Sequence, residues 1–260
     1  MKKIVTVTLL FLLALNNGLL AQPAGAQEFY ELRVYHYKDS AQEGVIDRYL
    51  EKALIPALGR KKITRIGVFK ALSNDTSAIK TLYLLVPFKS VAGALEIQSA
   101  LLKDNAYLSA GKEYLEAGFK TPPYTRVESI WLKAFPFAPV AKASKLKSSP
   151  QGRVYELRSY ESATEKIGVN KIHMFNEGGE VALFDRLGFD AAFYGQVLSG
   201  GVMPNLMYLT RFENRAERDA HWKAFGEDPE WKQLSAKPEY QDNVSHIDIT
   251  FLRPTAYSAL

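Results

Sequence analysis

Apolar and polar residues alternate through FYELRVY (Phe29 to Tyr35) and again through VYELRSY (Val154 to Tyr160). A period of two predicts a half-buried β-strand at each place. After the first copy, Ile46, Leu50, Ala53, Leu54, Ala57 and Leu58 recur at helical spacing within Gln42 to Leu58, and Pro56 predicts a kink or early stop there. Two β-like runs follow, Arg65 to Leu72 and Lys80 to Phe88, around the turn Ser73-Asn74-Asp75. A second helical stretch, Val91 to Ala117, is predicted to break near Asp104-Asn105, and a last strand spans Tyr124 to Lys133. The second half keeps this order. A helical stretch around Lys166 to Arg186 precedes strands at Ala191 to Leu198 and Leu206 to Phe212. A helical region, Arg215 to Ala236, then breaks at Asp228-Pro229, and a closing strand runs from Val244 to Arg253.

Each half thus reads β-α-β-β-α-β, the ferredoxin-like order. Such a unit has helices on one face of an antiparallel sheet and leaves the other bare. Exposed apolar surface costs about 25 cal/mol per Å², so two units gain by packing bare face to bare face. The expected fold is therefore α+β: two tandem ferredoxin-like (βαββαβ) units, 27–137 and 153–260, closing on each other as an α/β barrel within one chain. Residues 138–152, rich in Ala, Lys, Ser and Pro, are expected to form a solvated linker.

Composition adds three constraints. Lys2 and Lys3 precede an apolar run, Ile4 to Leu15, and Ala24-Gly25-Ala26 fits a small-residue cleavage site. That order predicts a signal peptide over 1–26 and an exported protein, periplasmic or secreted. The run is too short for a stable membrane anchor, which needs about 20 apolar residues. Loss of Lys2 and Lys3 lowers the formal charge from +5 to +3, too mild for nucleic acid, and no basic run has interleaved aromatics. Cysteine is absent, so an exported chain must be held by its core, and 47% hydrophobic residues suffice.

Candidate chemistry sits on the alternating strands. Glu31, Arg33 and Tyr35 share one face, opposite Tyr30, Leu32 and Val34. Glu156, Arg158 and Tyr160 repeat that face. Arg126 and Glu128 alternate along the first closing strand, His246 and Asp248 along the second. Giving the apolar face to the helices turns all ten polar residues toward the space between the sheets. There Glu31, Arg33, Tyr35, Arg126, Glu128, Glu156, Arg158 and Tyr160 would bind a small organic ligand. His246 and Asp248 would form a His–carboxylate pair for general-base catalysis. The alternative is that the Glu–Arg pairs only neutralise one another. A pocket in one half should leave that half's pair the more solvated. His173, Glu177 and Glu180 in HMFNEGGE have partial metal-ligand spacing, but Gly178-Gly179 favours a helix break, and no metal site is expected. In His221-Trp222 adjacent helical residues point in different directions, and Trp222, Phe225 and Trp231 read as anchors of the second helix to the sheet. Phosphate loops, nucleophile elbows and zinc signatures are missing.

The motifs YELR at Tyr30 and Tyr155, MPNLMYL at Met203, WKAFGEDPEWKQL at Trp222 and FLRP at Phe251 resemble the NIPSNAP family. The second half resembles it more closely; the first has DNAYLSA in place of the Asp-Pro-Glu-Trp element. The resemblance implies the dimeric α/β-barrel fold, in two copies, and no general reaction. Fold relatives include haem-degrading and quinone-forming monooxygenases, and fold alone does not transfer function. Two readings therefore stand. One is small-molecule binding or scaffolding without catalysis and without a cofactor. The other is a cofactor-independent or haem-dependent monooxygenase acting on a hydrophobic or aromatic substrate. A homo-oligomer is compatible with both.

Overall fold

The computed structural model describes residues 26–260, so the expected signal peptide lies outside the described residues except for Ala26. The first half contains strands β1 (Phe29–Tyr37), β2 (Gly67–Ala71), β3 (Lys80–Phe88) and β4 (Arg126–Ala134). Its helices are α1 (Ser40–Arg48), α2 (Ile55–Arg60), α3 (Val91–Leu101), α4 (Asn105–Ala110) and α5 (Lys112–Leu115). The second half contains β5 (Val154–Glu161), β6 (Asp190–Ser199), β7 (Asn205–Phe212) and β8 (His246–Pro254). Its helices are α6 (Glu165–Phe175), α7 (Glu180–Arg186), α8 (Arg215–Glu227) and α9 (Pro229–Ser235).

Local chemistry explains the breaks. Asp104 and Asp228 accept backbone N–H bonds from Tyr107 and Glu230 (3.0 and 2.9 Å), capping α4 and α9. Gly179 is left-handed (φ 96°) between α6 and α7, and a Cβ on Gly178 would sit 2.4 Å from the Met174 carbonyl oxygen. Pro56 does not stop its helix. The chain widens into a π-helical stretch, Tyr49–Leu54, just before it. A wider turn accommodates a ring that lacks an N–H and crowds the preceding turn.

The eight strands form one closed antiparallel barrel, in the order β1-β3-β2-β8-β5-β7-β6-β4. Each half supplies a four-stranded sheet, β4-β1-β3-β2 and β8-β5-β7-β6, and the seams are β2–β8 and β4–β6. The interior is an apolar core shared by both halves: Tyr30, Leu32 and Leu85 meet Tyr155, Leu209 and Leu252 in one cluster. Separate apolar clusters lie under the helices of each half.

This corrects the expected facing of the strands. Tyr30 and Leu32 point into the barrel, whereas Tyr35 belongs to the cluster under the first half's helices. Alternation then puts Glu31, Arg33, Glu156, Arg158 and Tyr160 on the helix side too. Arg126 and Glu128 lie opposite His36 and Val34, and His246 and Asp248 opposite Glu161 and Ser159. Those four do face inward, at one open end of the barrel. The ten candidates therefore occupy two faces.

Residues 138–152 are also not a solvated linker. Ala138 and Ala141 are buried. The Ala141 N–H donates to the Glu28 carboxylate (2.8 Å), and its carbonyl accepts from Arg65 (3.0 Å). The Lys142 N–H donates to the Ala192 carbonyl (2.9 Å) and the Ser144 hydroxyl to Asp190 (2.7 Å). The segment is a strap across the other end of the barrel.

A core shared by both halves should unfold as one unit. Leu32→Ala and Leu209→Ala, from different halves, should each cost about 2–5 kcal/mol and keep a single cooperative transition in urea. Two separated transitions would mean that the halves are stable independently.

Candidate functional site: a cavity under the helices of the second half

The second copy of Tyr-Glu-Leu-Arg-x-Tyr carries Glu156, whose side chain is fully buried. A buried carboxylate needs donors, and α8 supplies them. Arg218 donates two bonds (2.6 and 2.9 Å) and the Trp222 indole one (3.0 Å). Arg158 adds a fourth from the strand itself (2.6 Å). Burial alone would raise the carboxyl pKa, but the Arg218 hydrogen bonds and the Arg158 charge outweigh it and hold Glu156 below the ordinary carboxylate range. Arg158 also donates to the Tyr160 hydroxyl (2.9 Å), which pairs with that of Tyr208 (2.8 Å). Its guanidinium lies 3.7 Å over the Trp222 ring, a cation–π contact that fixes its plane.

Beside this network opens a cavity of about 450 Å³. Arg158, Tyr160 and Trp222 line it, with Met174, Trp231, Tyr240 and Val244. Lys171 and Glu180 also line it, both buried and paired at 2.9 Å. The Lys171 ammonium lies 4.8 Å from the Phe175 ring centroid. Burial pushes the Glu180 carboxyl up, and the Lys171 charge only partly opposes this.

The first half has the same strand motif without the cavity. Glu31 accepts two bonds from Arg33 (2.7 and 2.9 Å) and one from Ser129 (2.9 Å). The space above is filled by tyrosines. Tyr35 packs edge-on against Tyr114 and Tyr124 at 6.5 and 6.0 Å, and Tyr49 stacks on Tyr114 at 3.8 Å. Tyr124 stands two residues before β4, and Val244 holds the matching position before β8. Exchange of a tyrosine for a valine is one reason the second half is open.

The expected site residues are therefore divided. Arg158 and Tyr160 line the cavity, and Glu156 positions Arg158. Glu31, Arg33 and Tyr35 form the filled counterpart. Arg126, Glu128, His246 and Asp248 lie at the barrel mouth instead. There His36 meets Glu128 at 2.6 Å, and His246 meets Asp248 at 3.2 Å. His173, Glu177 and Glu180 do not converge: His173 bonds the Tyr240 hydroxyl (2.8 Å), and Glu177 is exposed. His221 bonds the Leu187 carbonyl (2.9 Å). Sequence reasoning missed Arg218 and Lys171. Lys171 had a signal, since it falls four residues after Ile167 and four before Phe175 on a helix. Arg218 had none, because its task depends on α8 crossing β5.

The pair beside the cavity is the more buried one, contrary to the expectation of greater solvation. Removing Glu156 leaves Arg158 without a carboxylate and Arg218 with only the exposed Asp219, so Glu156→Ala should cost about 3–5 kcal/mol in urea melts. Glu31→Ala frees one partly exposed arginine and should cost less, about 1.5–3 kcal/mol. Because the folded pKa of Glu156 is depressed, its contribution is complete above the ordinary carboxylate range and is lost as pH falls through the depressed value. Glu156→Gln should flatten that acid limb of a stability-against-pH curve, whereas an unchanged limb would show that other carboxylates carry it.

Comparison with known proteins places this geometry. Residues 155–259 match the NIPSNAP family. No curated protein sequence matches the chain. A candidate monooxygenase from Lactobacillus acidophilus NCFM is similar in structure (TM-score 0.57, 11% identity), covering 88% of this chain and 94% of its own. A candidate monooxygenase from Fusobacterium nucleatum has the same score and identity, covering 88% of this chain and 93% of its own. At these identities the likeness shows the fold, a dimeric α/β barrel over the whole chain. An uncharacterized NIPSNAP-like domain protein from Burkholderia xenovorans covers 42% of this chain and 90% of its own at 18% identity (TM-score 0.38). The NIPSNAP match thus covers the second half of the chain, and the first half repeats the same unit to close the barrel.

Proposed function

We propose that this protein binds a small organic acid, with an aromatic or apolar body and an anionic head, in the cavity of its second half. The observation that carries the reading is the fixed guanidinium on the cavity wall. Lys171 and Glu180 cancel, while Arg158 and Arg218 share Glu156 and Arg218 also pairs with the exposed Asp219 (2.9 Å). Arg158 is the cation that faces the cavity, its guanidinium held against Trp222. Asp242 is the other acid on the lining, and it sits exposed at the rim. Trp222, Phe225, Trp231 and Tyr240 supply flat apolar surface for the body of the ligand.

A second reading, an oxygenase working in the same cavity, draws on Glu180. A carboxyl with a raised pKa beside apolar walls can take a proton from an activated phenolic substrate. It predicts consumption of dioxygen on mixing with such a substrate, which simple binding does not. Export is proposed separately, on the basic–apolar–small order of residues 1–26. The mature chain from the native cell should begin at Gln27, and a mass including Met1 to Ala26 would exclude cleavage.

Binding is tested by titrating the purified protein with small aromatic carboxylates and their neutral amides, read by tryptophan fluorescence and calorimetry. The acids should bind at least about tenfold more tightly than the amides, the worth of one charged hydrogen bond. Val244→Tyr, which copies the first half's filler, should abolish binding without lowering the melting temperature. Equal affinity for acid and amide, or full binding by Val244→Tyr, would overturn the assignment.

A further inference from the structure

The mouth of the barrel is built twice, once by each half. The register equates His36 with Glu161, Arg126 with His246, and Glu128 with Asp248. The two trios differ in charge. In the first half Glu128 is neutralised where it stands, by the Arg126 guanidinium and by the His36 ring at 2.6 Å. In the second half Glu161, His246 and Asp248 bring two carboxylates and one imidazole together, each with a donor atom within 4.8 Å of the others. Among the described residues no lysine or arginine pairs with either carboxylate; the partner of Asp248 is His246 at 3.2 Å.

We infer that Glu161, His246 and Asp248 form a site for one divalent metal ion of the zinc or manganese type. Two carboxylate oxygens and an imidazole nitrogen at adjacent rim positions are a borderline donor set, which Zn²⁺, Mn²⁺ or Fe²⁺ takes in preference to the all-oxygen shell of Mg²⁺ or Ca²⁺. The internal repeat supplies a control. Where one half places the fixed cation of Arg126, the other places a ligating ring and a second carboxylate, so the cation must come from solution. The site stands at the end of its strands, where no helix covers it, and His246 and Asp248 are more than half exposed. Three protein ligands leave coordination positions for water. Asp248 also lines a mouth cavity of about 260 Å³ with Glu128 and His36 on its far wall, so those positions adjoin space for a small ligand. This inference is independent of the helix-side cavity.

The test uses the full chain freed of metal by chelator and dialysed against Zn²⁺, Mn²⁺ or Mg²⁺ alone. One Zn²⁺ or Mn²⁺ per chain is expected, with Mg²⁺ bound much more weakly. Co²⁺ should give a visible d–d band from the same site. His246→Ala and Asp248→Asn remove direct ligands and should weaken binding at least tenfold, since loss of outer-shell support alone costs about 10–100-fold. His246→Arg restores the first half's fixed cation, and should abolish both binding and the cobalt band while leaving the melting temperature unchanged. His173→Ala, at an exposed histidine elsewhere, should bind like the unaltered protein. Retained stoichiometry in His246→Arg, or no Zn²⁺ or Mn²⁺ bound above its level, would overturn the site.

Discussion

The structure depends on burial of one sheet face against another. A four-stranded sheet with helices on one side leaves an apolar face that water penalises, and each half of this chain is such a sheet. Meeting face to face removes both surfaces at once. Antiparallel pairing at the β2–β8 and β4–β6 seams then leaves no open edge. The shared interior, with Tyr30 and Leu32 against Tyr155 and Leu209, is why the duplicated unit behaves as one molecule. The strap over 138–152 joins the halves and is itself hydrogen-bonded across one end, leaving the other end as the mouth.

An apolar barrel interior determines where polar chemistry can stand. The interior offers few partners for a charged group, whereas the helix side can bring donors to it. Glu156 shows the consequence: four donors, three of them from α8, hold a carboxylate that the barrel interior could not have satisfied. The chemistry-bearing spaces are therefore the margins of the fold, a cavity between sheet and helices and the rim of the barrel. Duplication allowed the halves to diverge there while the strands stayed alike. Tyrosines fill the first half's helix-side space, and the second half is open. The first half's rim neutralises itself, and the second half's rim sets two carboxylates against one imidazole, with no lysine or arginine partner among the described residues.

Much of this was legible in the residues. The β-α-β-β-α-β order, the Asp-Pro break before α9 and the glycine break between α6 and α7 follow from period, capping and backbone freedom, all of which are local. So does the division of Tyr30, Leu32 and Val34 from Glu31, Arg33 and Tyr35, because side chains alternate along any strand. What alternation leaves open is which face turns inward. Assigning the polar face to the barrel was wrong because it counted apolar residues without asking where the donors for Glu156 would stand. A one-residue question of register decided that Arg126 and Glu128 share a face with Leu32 and Val34, not with Arg33.

By itself the sequence determined the repeat, the class of fold and the paired faces of each strand, since each rests on contacts between near neighbours or on the solvent cost of a bare sheet. Only the tertiary structure decided the inward face, the seams, the packed strap, the cavity beneath α8 and the meeting of Glu161 with His246 and Asp248. Each of these joins groups far apart in the chain. Arg218 lies 62 residues from the carboxylate it satisfies, and no local periodicity records a partner at that distance.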